Sequence, residues 1–181
     1  AKRLEAEYAV PLLAHATMEP QNCTAHVTGN HVEIWVPTQD AETALSIAAD
    51  AADVAQGNVV VHRTMVGGGF GRRGAFQDYV RQAVLIAQEV RGPVQLLWSR
   101  EQDIRHDVYR PTVMARMTAG LDPNGMPLAW SIRISGQSIA AQVAPELLGT
   151  VFDRNMGKGL LPEPPYAVPN YFVDGAIRNS H

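Results

Sequence analysis

The sequence predicts an α+β fold of two layers, with helices packed on one face of a mixed β-sheet. Three observations predict it. Short alternating or β-branched runs are separated by tight turns, two longer runs carry apolar residues at helical spacing, and the elements follow in the order β-β-α-β-α-β-β-β. The first two and the last two strands read as hairpins, so this is not the order of a doubly wound parallel sheet.

Residues 31–36, HVEIWV, alternate polar and apolar side chains, the pattern of a half-buried strand. A strand over residues 25–28 reaches it through a tight turn at Gly29-Asn30. Pro37 ends the second strand because it has no N–H for the ladder. Asp40 or Thr38 then caps the run AETALSIAADAADV, whose Ala44, Leu45, Ile47, Ala48, Ala51 and Ala52 share one face. Their small size lets the helix approach a sheet closely.

A third strand, VVVHRTMV, starts at Val59 and runs into a glycine cluster at 67–74. The next helix spans residues 75–90, with Tyr79, Ala83, Ile86 and Ala87 turned inward, and Gly92-Pro93 stops it. VQLLW at 94–98 reads as a buried strand, after which Ser99 caps a short polar turn whose Glu101 and Asp103 are expected in solvent. Residues 112–121 and 128–135 form two more strands, joined by Asp122-Pro123-Asn124-Gly125. Beyond Gly136 the pattern decays. Residues 1–148 are therefore expected as one compact α/β unit of a partial domain over 1–181. The Gly/Pro-rich stretch 149–181 is expected as a connection to a missing C-terminal part, and both ends look cut from something longer.

Composition narrows the function. Fifteen Lys and Arg against 18 Asp and Glu give a net charge of −3, which excludes nucleic-acid binding driven by bulk positive charge. No apolar run approaches the roughly 20 residues of a membrane-spanning helix. Cys23 is the single cysteine, which excludes an internal disulfide and any cysteine-cage zinc or iron–sulfur centre in this chain.

The glycine cluster is the feature that structure alone explains poorly. A turn between strand and helix needs one or two glycines, yet four of the five residues from Gly67 to Gly71 are glycine. Glycines that dense fit a backbone that approaches a ligand and offers N–H groups to its oxygens. Gly69-x-Gly71-x-x-Gly74 also satisfies the dinucleotide fingerprint as a string, so a dinucleotide-binding or non-catalytic α/β module is the alternative. Against it, Arg72 and Arg73 occupy the tight part of the turn, and Leu97-Trp98-Ser99-Arg100 stands where a ribose-binding acid is wanted. A phosphate-loop NTPase is excluded, since no Lys-Ser or Lys-Thr follows the glycines.

Three patches together resemble the xanthine dehydrogenase/aldehyde oxidase family of molybdenum hydroxylases. They are His15-Ala16-Thr17-Met18-Glu19-Pro20, Pro37-Thr38-Gln39 and Gly67-Gly68-Gly69-Phe70-Gly71, with Gln39 and Phe70 31 residues apart as in the family. Weaker echoes follow in order at Gly92-Pro93-Val94, Arg100-Glu101-Gln102-Asp103, Tyr109-Arg110-Pro111 and Tyr166-Ala167-Val168-Pro169-Asn170. The Arg72-Arg73 ending resembles the branch of isoquinoline 1-oxidoreductase β subunits and bacterial aldehyde dehydrogenases. The purine-oxidising branch has a purine-holding glutamate where this chain has Gly74.

The resemblance implies a molybdenum-cofactor-binding domain from a large subunit that oxidises an aldehyde or an N-heteroaromatic carbon with oxygen from water. It implies molybdenum–molybdopterin in its cytosine dinucleotide form, bound by Gln39, Gly68, Gly69, Phe70, Gly71 and Arg72. Gln39 and Phe70 would lie near the molybdenum and act through its ligands, with the Phe70 ring beside the substrate channel. The partners it implies are the rest of the large subunit and an iron–sulfur small subunit with 2Fe–2S clusters. It places the general-base glutamate beyond His181, which leaves no catalytic residue in this stretch, and it makes His15 and Glu19 structural. Read without the resemblance, Gln39 is a helix-flanking polar residue, Phe70 a core aromatic, and Arg72 and Arg73 are solvated.

Overall fold

A computed structural model describes residues 2–143, 145, 153–157, 160 and 164–178. In chain order the elements are β1 (Lys2–Val10), β2 (Asn22–Thr28), β3 (His31–Val36), α1 (Ala41–Ala52), β4 (Val59–Arg63) and α2 (Asp78–Glu89), followed by β5 (Val94–Leu97), α3 (Arg100–Arg105), β6 (Val113–Leu121), β7 (Pro127–Gly136), α4 (Ala140–Val143) and β8 (Asn170–Ile177). They fall into two units, Ala14–Tyr109 and Ala1–Leu13 with Arg110–His181.

The Ala14–Tyr109 unit has the expected two-layer form. Its sheet runs β4-β3-β2-β5, with β3 and β4 parallel and the other pairs antiparallel. Helices α1 and α2 pack on the face carrying Cys23, Ala25, Val32, Ile34 and Val36, and these strand residues are wholly buried. Alanines on both helices, among them Ala44, Ala48 and Ala83, bring the layers close. Asp40 caps α1: its Oδ1 accepts from the Thr43 N–H at 3.0 Å, and Asp53 closes the helix in the left-handed region at φ 55°. Thr38 instead bonds the backbone of Asp40.

Several expectations shift here. β4 ends at Arg63, so Thr64, Met65 and Val66 lie in the loop. Helix α2 starts at Asp78 and buries Val80 and Val84, whereas Ile86 is 43% exposed on the outer side. β5 is an edge strand, with Leu97 63% exposed. The polar turn after Ser99 is a helix, α3, opened by a full capping box between Ser99 and Gln102. Asp103 on it is buried and paired with Arg100 at 2.6 Å, not solvated.

In the other unit a mixed sheet runs β1-β6-β7-β8, antiparallel except for β7 and β8. The β6–β7 hairpin turns at Asp122–Gly125 as expected, the Asp122 N–H donating to the Met126 carbonyl. β1 was not expected; its charged residues obscure the alternation. β8 lies inside the stretch expected as a connection, along with a short 3-10 turn at Arg154–Gly157. Of the rest of that stretch, only Asp153, Leu160, residues 164–169 and Arg178 are among the described residues. Among the described residues, no helix is long and apolar enough to cross a membrane.

Candidate functional site

The glycine cluster leaves β4 and folds back on the end of β3. The Arg72 N–H donates to the Gly69 carbonyl at 2.9 Å and closes a tight turn whose central residues, Phe70 and Gly71, both have positive φ, 54° and 106°. That is the φ pattern of a type I′ turn, natural for glycine and unfavourable for phenylalanine by about 1–2 kcal/mol. Phe70 is also 70% exposed, so it is not a core aromatic. Backbone strain and exposure thus coincide at Phe70.

Gln39 clasps this turn. Its Oε1 accepts from the Gly71 N–H at 3.0 Å and the Arg73 N–H at 3.3 Å, while its own N–H donates to the Arg73 carbonyl at 3.0 Å. Two amides aimed at one atom fix that atom as the oxygen and leave Nε2 as the outward donor. Gly69 makes the clasp possible, because a Cβ there would stand 2.3 Å from Gln39 Oε1. Among the described residues, the N–H groups of Gly68, Gly69 and Phe70 and the Nε2 of Gln39 meet no protein acceptor.

Both arginines lie beneath the loop. Arg73 is fully buried and donates to the carbonyls of Gly68 (2.9 Å), Pro37 (3.1 Å) and Glu19 (2.7 Å), with the Tyr79 ring 5.9 Å from its guanidinium carbon. Arg72 is 2% exposed; it bonds the Phe76 carbonyl and Asp78 (2.7 Å) and lies 5.7 Å from the Trp98 ring centre. Its Nε stands 3.0 Å from Asp107 but off the line of a hydrogen bond. Arg72, expected among the cofactor-binding residues, has its guanidinium bonded to these internal groups. Its charge is used inside the protein, and its position next to the glycines carried no sign of that.

Glu19 is a third support, its carboxylate accepting from the Gly67 N–H at 2.8 Å and pairing with Arg73 at 3.2 Å. Residues 14–17 are not helical, so His15 and Glu19 share no helix face. His15 instead bonds Asp107 through its ring and its backbone N–H. Burial pushes the Asp107 carboxyl up, but these bonds, with the nearby Arg72 charge, hold it below the ordinary carboxylate value. Sequence reasoning missed Asp107 and the role of Arg73; neither has a local signal.

Other chemistries find no support. Among the described residues, no three His, Cys, Asp or Glu side chains gather into a metal-binding group. Burial pushes the Cys23 thiol up to about 12, away from nucleophilic use. The dinucleotide alternative fails on geometry: Gly74 is four residues short of α2, and β4 is an edge strand in a mixed sheet.

Comparison with known proteins identifies the family. The family described as the molybdopterin cofactor-binding domain matches residues 1–179. The β subunit of isoquinoline 1-oxidoreductase from Brevundimonas diminuta is 30% identical over 169 residues, 90% of this chain and 21% of that protein. The molybdenum-binding subunit of an aldehyde oxidoreductase from Escherichia coli (strain K12) is 28% identical over 75% of this chain and 19% of its own length. The chain thus spans about a fifth of these relatives. Quinoline 2-oxidoreductase from Pseudomonas putida 86 shares the fold at a TM-score of 0.62 and 18% identity, covering 76% of this chain and 18% of that one. The aldehyde oxidoreductase of Desulfovibrio gigas does so at 0.57 and 16%, over 76% of this chain and 15% of its own. With the family matched from end to end, this chain belongs to the molybdopterin cofactor-binding domain family.

Proposed function

We propose that this chain is the part of a molybdenum hydroxylase large subunit that carries the cofactor on its glycine loop, and that the whole enzyme oxidises an aldehyde or N-heteroaromatic substrate with oxygen from water. The observation that carries the reading is the set of unused donors on the loop. Three backbone N–H groups and the Gln39 amide nitrogen meet no protein acceptor among the described residues, beside a strained, exposed Phe70. Neutral donors in that number suit a group rich in oxygen, and the open space at Gly71 leaves room for its approach. When bound, the cofactor supplies the two-electron oxidation.

The residues of this chain hold and orient. Gly68, Gly69 and Phe70 offer N–H groups, Gly71 keeps the approach clear, and Gln39 donates through Nε2. The Phe70 ring gives a flat apolar wall for an aromatic or aldehyde substrate. Gly74, in the place of the purine-holding acid, favours non-purine substrates. The cofactor is read as the cytosine dinucleotide form, with 2Fe–2S clusters on a partner subunit, since Cys23 alone cannot hold them.

Turnover in heavy-oxygen water tests this in the enzyme that contains the chain. Aromatic aldehyde or N-heterocycle products should carry the label, and a purine should turn over far more slowly. Label drawn from dioxygen, or obligatory hydride transfer to a nicotinamide, would contradict it.

A further inference from the structure

His15 is held as a presenting residue rather than a mere support. Its Nδ1 lies 3.1 Å from both Asp107 oxygens, and its backbone N–H donates to the same carboxylate. The Asp107 side chain is 1% exposed and flanked by the Arg72 guanidinium. An ionised carboxylate only accepts, so Nδ1 carries the proton, and in the neutral ring Nε2 is a bare acceptor. That Nε2 has no protein partner among the described residues. A Cβ at Gly71 would sit 3.9 Å from it with nothing else within 4 Å, so the ring looks onto the open side of the loop.

Backbone strain marks the same place. Among the described residues, three non-glycine residues have positive φ: Asp53, an ordinary left-handed helix cap, Ala16 at 41° and Phe70 at 54°. Ala16 adjoins His15 and Phe70 adjoins Gly71, so both strained residues flank the approach of Nε2 to the loop. Strain kept on either side of one approach is a mark of a binding geometry.

We infer that His15 contacts the ligand: its Nε2 accepts a hydrogen bond from an N–H or O–H donor of the group bound on Gly68–Gly71, and Asp107 is its positioning residue. This rests on the proposal that a pterin cofactor, whose ring carries N–H donors, occupies the loop.

Two substitutions separate the jobs of the ring. The side chain of His15→Asn puts an amide nitrogen where Nδ1 lies, so it keeps Asp107 but has no atom at the Nε2 position. His15→Gln reaches that position and gives up Asp107. In the holoenzyme, molybdenum and pterin retained after equilibrium dialysis are measured beside the thermal midpoint. His15→Asn should keep its midpoint and retain roughly three- to tenfold less cofactor, the effect of one hydrogen bond. His15→Gln should retain more cofactor than His15→Asn. Full cofactor in His15→Asn, cofactor lost only together with the midpoint, or more cofactor in Asn than in Gln each overturns the inference and leaves the loop proposal standing. A wild-type enzyme without molybdenum overturns both.

Discussion

Gly69 and Gly71 must be glycine for different reasons. At Gly71 the space is open and the constraint is φ, 106°, which a side chain adopts only at a cost of about 1–3 kcal/mol. At Gly69 the constraint is the Gln39 amide, 2.3 Å from where a Cβ would stand. A methyl there pushes the end of a flexible side chain aside, so Gly69→Ala should act as an indirect Gln39 mutation. Each single change, Gly69→Ala or Gln39→Ala, should slow turnover and destabilise by about 0.5–1.5 kcal/mol, one net hydrogen bond, and the double mutant should lose little more than either. Denaturant midpoints and turnover across the cycle check this, and full additivity would contradict the clasp. Gln39 and the glycines were legible because their types and spacing form a motif. Asp107 was not, because its importance comes from contact with His15, 92 residues away in sequence. Arg72 and Arg73 announced charge, but not the buried carbonyls and carboxylates that take it up.

Helix α1 positions the clasp, since its cap Asp40 directly follows Gln39. The Gln77 side chain, just before α2, donates to the Asp40 carbonyl at 2.8 Å and the Gly74 carbonyl at 2.9 Å, tying the starts of both helices to the loop. The Thr43 N–H and hydroxyl hold the Asp40 carboxyl below its ordinary value. A depressed carboxyl contributes stability that is fully present above its unfolded pKa and lost as the pH falls through the folded one. Asp40→Ala should therefore cost about 0.5–2 kcal/mol at neutral pH, and the gap to wild type should narrow below about pH 4. Thermal midpoints of both proteins from pH 7 down to about 3 test this; a gap that widens on acidification would contradict the cap. Elements of this kind were legible where local pattern decides them. β3, the α1 cap and the β6–β7 turn match expectation, because alternation, Asp40 and Asn124-Gly125 act within a few residues. Ile86 misled because an apolar residue on the outer face of α2, next to the equally exposed Leu85, mimics the buried stripe that Val80 and Val84 complete.

At the scale of the whole molecule, the two-layer unit holds the loop, and its core is what keeps Gln39 and Phe70 in place. The wholly buried Arg73, beside the Tyr79 ring, ties the loop carbonyl of Gly68 to those of Pro37 and Glu19. The other unit was less legible, because its edge strands depend on partners far away. Lys2 faces Leu121 across β1–β6, and Asn170 faces Ala129 across β7–β8, pairings that no local pattern announces. A molybdopterin cofactor held on the loop clasped by Gln39 is read out by molybdenum and pterin per copy of the enzyme containing this chain, wild type against Gly71→Ala. The wild type should be loaded, and the Gly71→Ala protein should keep most of its thermal midpoint while losing most of its molybdenum and pterin together. Equal loading of the two proteins, or a wild type with neither molybdenum nor pterin, would contradict it.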